Sequence, residues 1–535
     1  MTVTETRPEV APPEAPAPAI AAVPPRGLAA VLGSGDHKTI GRLWIGFSML
    51  FLLVGLVAAV LLGFEGADLG SFDVIGAGSF LQMFTLYRVV AVFLVGIPLF
   101  IGLGTFVVPL QVGARSIALP RAAAAAFWIW LVAGGIVLAS YAIDGGPGGG
   151  ESDGVELWIV AFGLVLIALV MASVSIATTV LAERTEGMVL TRIPLFSWSM
   201  FVAGSVWILS LPVLGANLLL AYLDHRYGQQ FFGVDADLWP QLAWAFGQPQ
   251  IYAVAIPALG VIGEVVPVAG DARLRHRQAA MVAIGLFGIL AFGAWAQPFF
   301  NADTQDDILF IGVALTIVLP VLALIAILGE TVRRRPTVNA ALLFSVASLL
   351  MLVAATTAGA VSVIEPLRLI GTTFATGQMN YVLLASLLAV LSGLWFWGPK
   401  IWGARLAEGP GRLAALVILL GTIVACLPDL FSGMIDQPQL VTADYAPRGG
   451  VEALNLVSAL GFLLVLLGVL VAATAIVGAA RKGHLADDAE RESDPWGGQT
   501  LEWSTTSPPP WNNFTDDPAP VLTASPLLDL AEEGS

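Results

Sequence analysis

Polar side chains interrupt the long apolar runs of this 535-residue chain at four places: Tyr87 with Arg88; Gln248, Gln250 and Tyr252; Gln297 beside Pro298; and Gln378, Asn380 and Tyr381. Amides and phenols donate and accept hydrogen bonds. A neutral amide is a poor ligand for iron or copper and does not titrate. The chemistry open to these residues is therefore interhelical hydrogen bonding, worth about 0.6 kcal/mol per contact in membranes, or the lining of a polar pocket for some other ligand. Gln248 and Tyr252 are four apart, which puts them on one face of a continuous helix. Gln378 and Asn380 stand about 200° apart around a helix, so a single helix offers two amides to two different neighbours. Tyr252 is expected to bond an adjacent helix, with a redox or proton role as the alternative. The four histidines, His37, His225, His276 and His484, all lie outside the apolar interior. The single cysteine, Cys426, excludes a disulfide within the chain and any multi-cysteine metal site.

The elements that must position these groups are apolar helices. Hydrophobic residues make up 57% of the chain and charged residues 12%, which no soluble domain matches. Runs long enough to cross about 30 Å of hydrocarbon recur twelve times: 41–63, 80–110, 123–143, 156–182, 195–222, 238–268, 278–300, 307–330, 339–363, 372–398, 411–434 and 452–478. With the N-terminus inside, 20 of the 24 basic residues fall on inner segments, and only Arg88, Arg226, Arg368 and Arg448 fall in or near the outer half. That asymmetry supports twelve spans with both termini cytoplasmic. The expected fold class is an all-α, integral membrane twelve-helix bundle.

Three regions follow: 1–30, Pro/Ala-rich and expected to be disordered; 31–480, the membrane domain; and 481–535, a polar and Pro-rich cytoplasmic tail. The net charge of −15 is read as solvated acids in outer loops and tail. No cleavable signal precedes the first span, and the N-terminal segment lacks the Arg/Ser-rich pattern of a mitochondrial presequence. A multi-pass protein of a bacterial inner membrane is expected, with membrane lipid as a partner and no nucleic acid.

Six motifs carry a resemblance. DHKTIGRLWIGF (36–47), VPLQVGARSIALPR (108–121), RIPLFSW (192–198), WAFGQPQIY (244–252), WGPKIWG (397–403) and DPWGGQTLEWSTTSPPPWNNF (494–514) resemble subunit I of the haem–copper oxidases, the cytochrome c oxidase family. The likeness covers about residues 36–514. It implies twelve helices, two haems and a copper held by six histidines, oxygen reduction coupled to proton transport, and partner subunits of the subunit II or III type in a respiratory chain.

Carried over by position, the resemblance puts the low-spin haem ligands at Tyr87 and Asn380 and the high-spin ligand at Gln378. The copper ligands fall on Gln248, Gln297 and Pro298. Proton-path positions fall on Ser116, Gln250 and Leu324, the propionate clamp on Asp436 and Gln437, and the outer magnesium ligands on Ile370 and Gly371. Tyr252 alone keeps the family's residue. None of the six metal-ligand positions is a histidine. Tyr87 as a phenolate is the one conceivable iron ligand, and it lacks a histidine partner.

The family has a small glycine where this chain has Arg88. A guanidinium at mid-span costs about 2.5–3.5 kcal/mol unless paired, so Arg88 is expected to fill part of the haem volume and to pair with an acid such as Asp436. No cofactor or metal is expected. The resulting expectation is a pseudo-enzyme: a haem-free, non-catalytic subunit I homologue in a respiratory complex, in an assembly or regulatory role. The alternatives are a genuine terminal oxidase with unusual ligands, and a binding or transport protein that uses the vacated cavity.

Overall fold

The computed structural model describes residues 27, 31–67, 79–233, 237–246, 250–292, 308–332, 336–440, 449–485, 493–516, 518 and 520–533. Residues 1–34 and 35–535 are separate units; the expected disorder of 1–30 falls almost wholly outside the described residues. Among the described residues the second unit is helical throughout, with one isolated antiparallel bridge, Thr372 to Pro438.

The helices follow the apolar runs one for one. They are α1 (His37–Gly66), α2 (Phe80–Gln111), α3 (Pro120–Tyr141), α4 (Ser152–Ala182), α5 (Leu195–Tyr227), α6 (Ile251–Ala269), α7 (Arg277–Phe292), α8 (Ile311–Thr331), α9 (Ala340–Ser362), α10 (Thr373–Trp402), α11 (Glu408–Met434) and α12 (Val451–Leu485). Eleven of them are long and apolar enough to cross a membrane, and α7 is a shorter apolar helix that ends at the edge of the described residues. Local signals set the ends. Asp36 caps α1 by accepting from Lys38 N, Asn339 caps α9 by accepting from Leu342 N, and Gly403 ends α10 at φ 77°.

Three helices are irregular, and two of these breaks bear on the polar residues. In α2 the segment Phe80–Val89 passes into a π-helical stretch, Val90–Gly96, before regular helix resumes. A Cβ at Gly96 would stand 3.1 Å from Ala91 O and 2.8 Å from Val254 Cγ1, so glycine permits both the wide turn and the close approach of α6. The run expected as one helix over 238–268 is instead Leu238–Ala243, a tight turn at Trp244–Phe246, a 3₁₀ segment at Gln250–Ala255, and then α-helix from Ile256. Proline at 249 has no N–H to give a helix. Gln248, expected to share a helix face with Tyr252, lies outside the described residues. The run at 307–330 also breaks, at Ile317, into Ile308–Thr316 and Val318–Thr331.

α10 is buried along its whole apolar length and packs between α9 and α11. A Cβ at Gly377 would meet Cys426 O at 2.9 Å, which holds α10 tightly on α11. The tail is not loose. Residues 494–514 pack under the bundle, with Leu501, Glu502, Trp503 and Asn513 buried. Asn513 Nδ2 donates to Ala114 O at 2.8 Å, and Lys400 Nζ donates to Thr505 O at 2.6 Å.

Candidate functional site

Tyr87 and Asn380 meet inside the bundle. The Tyr87 hydroxyl donates to Asn380 Oδ1 at 2.7 Å, with both side chains buried. The Tyr87 ring packs edge-on against Phe462 of α12. On the opposite side of α10, Gln378 Nε2 donates to the Tyr252 hydroxyl at 2.8 Å, and that hydroxyl donates to Ala355 O of α9 at 3.1 Å. One helix thus presents two amides to two neighbours, as the 200° separation implies. Each amide is matched to a phenol rather than left open to a ligand.

Arg88 lies beside this pair and is 3% exposed. Its Nη2 donates to Thr376 Oγ1 at 3.0 Å, and its guanidinium sits 4.3 Å above the Phe84 ring and 5.9 Å from that of Trp239. Thr376 Oγ1 also accepts from Gln439 Nε2 at 3.2 Å. The expected ion pair with Asp436 is not formed. Asp436 is exposed in a left-handed turn after α11, at φ 67°, while Arg88 is held inside the bundle by a hydroxyl and two aromatic faces. Arg88→Met is expected to change stability by no more than about 1 kcal/mol. The relief of about 2.5–3.5 kcal/mol of insertion cost offsets the loss of a desolvated cation–π contact of about 2 kcal/mol and one hydrogen bond of about 1 kcal/mol. A buried ion pair broken on one side would instead cost about 3–5 kcal/mol. Thermal unfolding of the purified variant separates the two.

Two small cavities flank Tyr87, which lines both. One, of about 40 Å³, is apolar and lies between α1, α2 and α10. The other, of about 90 Å³, is lined by Asn380, Thr376, Asp429, Gln437, Asn455 and Ser458, among others, and suits about three waters. Asp429 faces Asn380 and Ser458, and Gln437 Oε1 is buried with no partner. Side chains therefore fill most of the space around the Tyr87–Asn380 contact.

The remaining positions are scattered. Leu324 is fully buried in α8, Ile370 is 43% exposed, and Gly371 takes φ 83° before α10. Ser116 lies in the loop after α2. Gln248, Gln297 and Pro298 lie outside the described residues, and of Gln250 only the backbone is described, in the 3₁₀ segment with Tyr252. His37, His225, His276 and His484 all sit at or beside helix ends. Among the described residues no three His, Cys, Asp or Glu side chains group to hold a metal.

Sequence reading missed three buried acids. Glu264 of α6 accepts from the backbone N–H of Leu195 and Phe196 at the start of α5. Asp429 lines the polar cavity. Glu502 of the tail accepts from Gln111 Nε2 and Trp397 Nε1, each at 3.0 Å. Burial pushes the Glu502 carboxyl above its ordinary range, opposed by its hydrogen bonds to Gln111 and Trp397. The acids are thus not all solvated. Two of the three stand within apolar runs, where a window average hides a single charge.

The family model for "Cytochrome C and Quinol oxidase polypeptide I" matches residues 39–471. The chain belongs to this oxidase subunit I family. It is 29% identical over 521 residues to a cytochrome c oxidase subunit 1-beta of Streptomyces avermitilis, covering 93% of this chain and 91% of that one. It is 27% identical to cytochrome c oxidase subunit 1 of Bacillus subtilis, covering 90% and 80%. A heme-copper terminal oxidase dimer solved by cryo-EM superposes with a TM-score of 0.67 at 15% identity, over 91% of this chain and 88% of that one; this likeness shows the fold. The chain is therefore a cytochrome c oxidase subunit I-like, multi-pass protein of a bacterial inner membrane, from a family whose members function within oxidase complexes with other subunits.

At the two positions that the resemblance assigns to the low-spin haem ligands, the donor set differs from the family's imidazoles. The Tyr87 hydroxyl and the Asn380 side-chain oxygen are 2.7 Å apart and hydrogen-bonded to each other. A phenol and an amide also replace the imidazoles that suit iron.

Proposed function

We propose that this oxidase subunit I homologue is a haem-free, non-catalytic component of a respiratory complex, which keeps the fold and docking surfaces and assists, regulates or replaces a subunit. The observation that carries this reading is the direct Tyr87–Asn380 hydrogen bond between the two positions that the resemblance assigns to the low-spin haem ligands. The Gln378–Tyr252–Ala355 chain supports it, because the high-spin ligand position is committed as a hydrogen-bond donor. Arg88 adds to it as a filler of the same space, and Asp436 in place of a propionate-binding arginine would repel an anionic porphyrin edge.

The names of the relatives favour a second reading, a genuine terminal oxidase subunit. A visible spectrum with metal analysis of the purified chain, isolated with its bound subunits, decides between them. The haem-free reading expects no Soret band from this chain and substoichiometric iron and copper, with other oxidase-type subunits retained. Stoichiometric iron with a Soret band assigned to this polypeptide would overturn it.

A further inference from the structure

A groove of about 750 Å³ opens between α4 and α5, toward their Ser152 and Tyr227 ends. Its walls include Ile159, Gly163, Ile167, Pro212, Gly215 and Leu219. The two glycines have no packing reason to be there. A Cβ at Gly163 or Gly215 would meet nothing within 4 Å, and neither takes a positive φ. Further along α5, by contrast, a Cβ at Gly204 would already touch Ser173 of α4 at 3.5 Å. Close helix approach, the usual reason for small residues in membrane bundles, therefore accounts for Gly204 and not for the glycines of the groove.

A second space, of about 630 Å³, caps the groove and shares Ile159 with it. Its lining is mixed, and its polar side chains are Asp224, His225, Gln229, Gln230, Asp237 and Gln241, with no lysine or arginine among the described residues. The acid end is fixed in place. The Asp224 carboxylate accepts from Phe231 N at 2.9 Å and Phe232 N at 3.0 Å, and His225 Nε2 lies 3.0 Å from Ser152 Oγ. An apolar groove within the roughly 300–1,000 Å³ range of ligand sites thus runs into a hydrogen-bonding cleft that bears carboxylates and amides. The ligand chemistry that matches both parts is an amphiphile with a long apolar chain and an ammonium-bearing head.

We propose that this is a binding site for an ethanolamine-headed phospholipid. One acyl chain lies along Gly163 and Gly215, the ammonium faces Asp224 and Asp237, and the glutamine amides serve the ester and phosphate oxygens. An anionic lipid lacks a cation in the cleft to meet it, and a partner's continuous transmembrane helix would run past the cleft rather than end in it.

The test uses the full chain with its bound subunits, reconstituted into nanodiscs of equimolar phosphatidylethanolamine and phosphatidylglycerol and read by native mass spectrometry. Retained phosphatidylethanolamine is expected on the parent chain. Gly215→Phe, whose side chain grows into open space, is expected to lower retention at least about ten-fold, the equivalent of 1.4 kcal/mol, with an unchanged thermal midpoint. Gly163→Leu is expected to act in the same way. Asp224→Asn is expected to reduce the preference for phosphatidylethanolamine without closing the groove. Parent-like retention in both filled variants overturns the proposal. So does retention of phosphatidylglycerol, a quinone or a polypeptide in the groove, or of no lipid at all.

Discussion

Glu502→Ala is expected to destabilise the folded chain by about 3 kcal/mol or more, since each buried donor left without a partner costs about 1–3 kcal/mol and this change strands two. Gln111 Nε2 and Trp397 Nε1 both donate to the same Glu502 oxygen, and Ser197 Oγ donates to Gln111 Oε1 at 2.7 Å. All four side chains are buried, so water does not replace the lost acceptor. Glu502→Gln keeps an acceptor oxygen and is expected to cost less. The two variants also differ from the parent in their response to pH. Burial raises the Glu502 carboxyl above its ordinary range, so the folded chain holds this proton more tightly than the unfolded chain does. The contribution is then most favourable below the ordinary carboxylate range and is lost as pH rises through the raised value. Thermal midpoints measured from about pH 4 to 8, a range that starts near the unperturbed glutamate value, are expected to fall more steeply in the parent than in Glu502→Gln. Equal slopes in both would remove Glu502 as the titrating group, and an Ala variant as stable as the parent would remove the network.

Hydropathy was enough to locate twelve apolar helices, eleven of them long enough to cross a membrane among the described residues. The two-sided role of α10 was legible for an equally simple reason: helical geometry alone sends Gln378 and Asn380 in opposite directions. What spacing did not carry was any contact that depends on which helices meet. Arg88 reaches Thr376 across 288 residues, and the preference for a hydroxyl and two aromatic faces over Asp436 follows from the exposed, left-handed turn that carries Asp436 away. The π-helical stretch after Tyr87 is not signalled by the apolar run VAVFLVG, apart from the glycine that ends it. The tail reads as polar and Pro-rich, yet Glu502 and Asn513 find partners on α1, α2, α10 and the loop after α2. A buried hydrogen bond can offset the polarity of one residue, and composition does not show where such a bond is available.

Restoring the imidazoles tests the reading of Tyr87 and Asn380 most directly. Tyr87→His with Asn380→His places two good iron donors on α2 and α10, but the double variant alone is expected to stay colourless. The oxygen atoms now at these positions are 2.7 Å apart, the flanking cavities amount to about 40 and 90 Å³, and the Arg88 guanidinium lies over Phe84 in the adjoining space. A porphyrin needs that volume, and a close-packed interior does not yield it without strain. Adding Arg88→Gly removes the largest of the three side chains and a buried cation together. The triple variant, expressed with haem supplied, is expected to gain a Soret band, iron in proportion to chain, and the low-spin signature of a bis-imidazole iron in electron paramagnetic resonance. Retention of the parent's thermal midpoint in the colourless double variant would show that it fails for lack of space rather than for lack of folding. A triple variant that folds with the parent's midpoint and still takes up no haem would mean that Tyr87 and Asn380 do not mark the low-spin ligand positions.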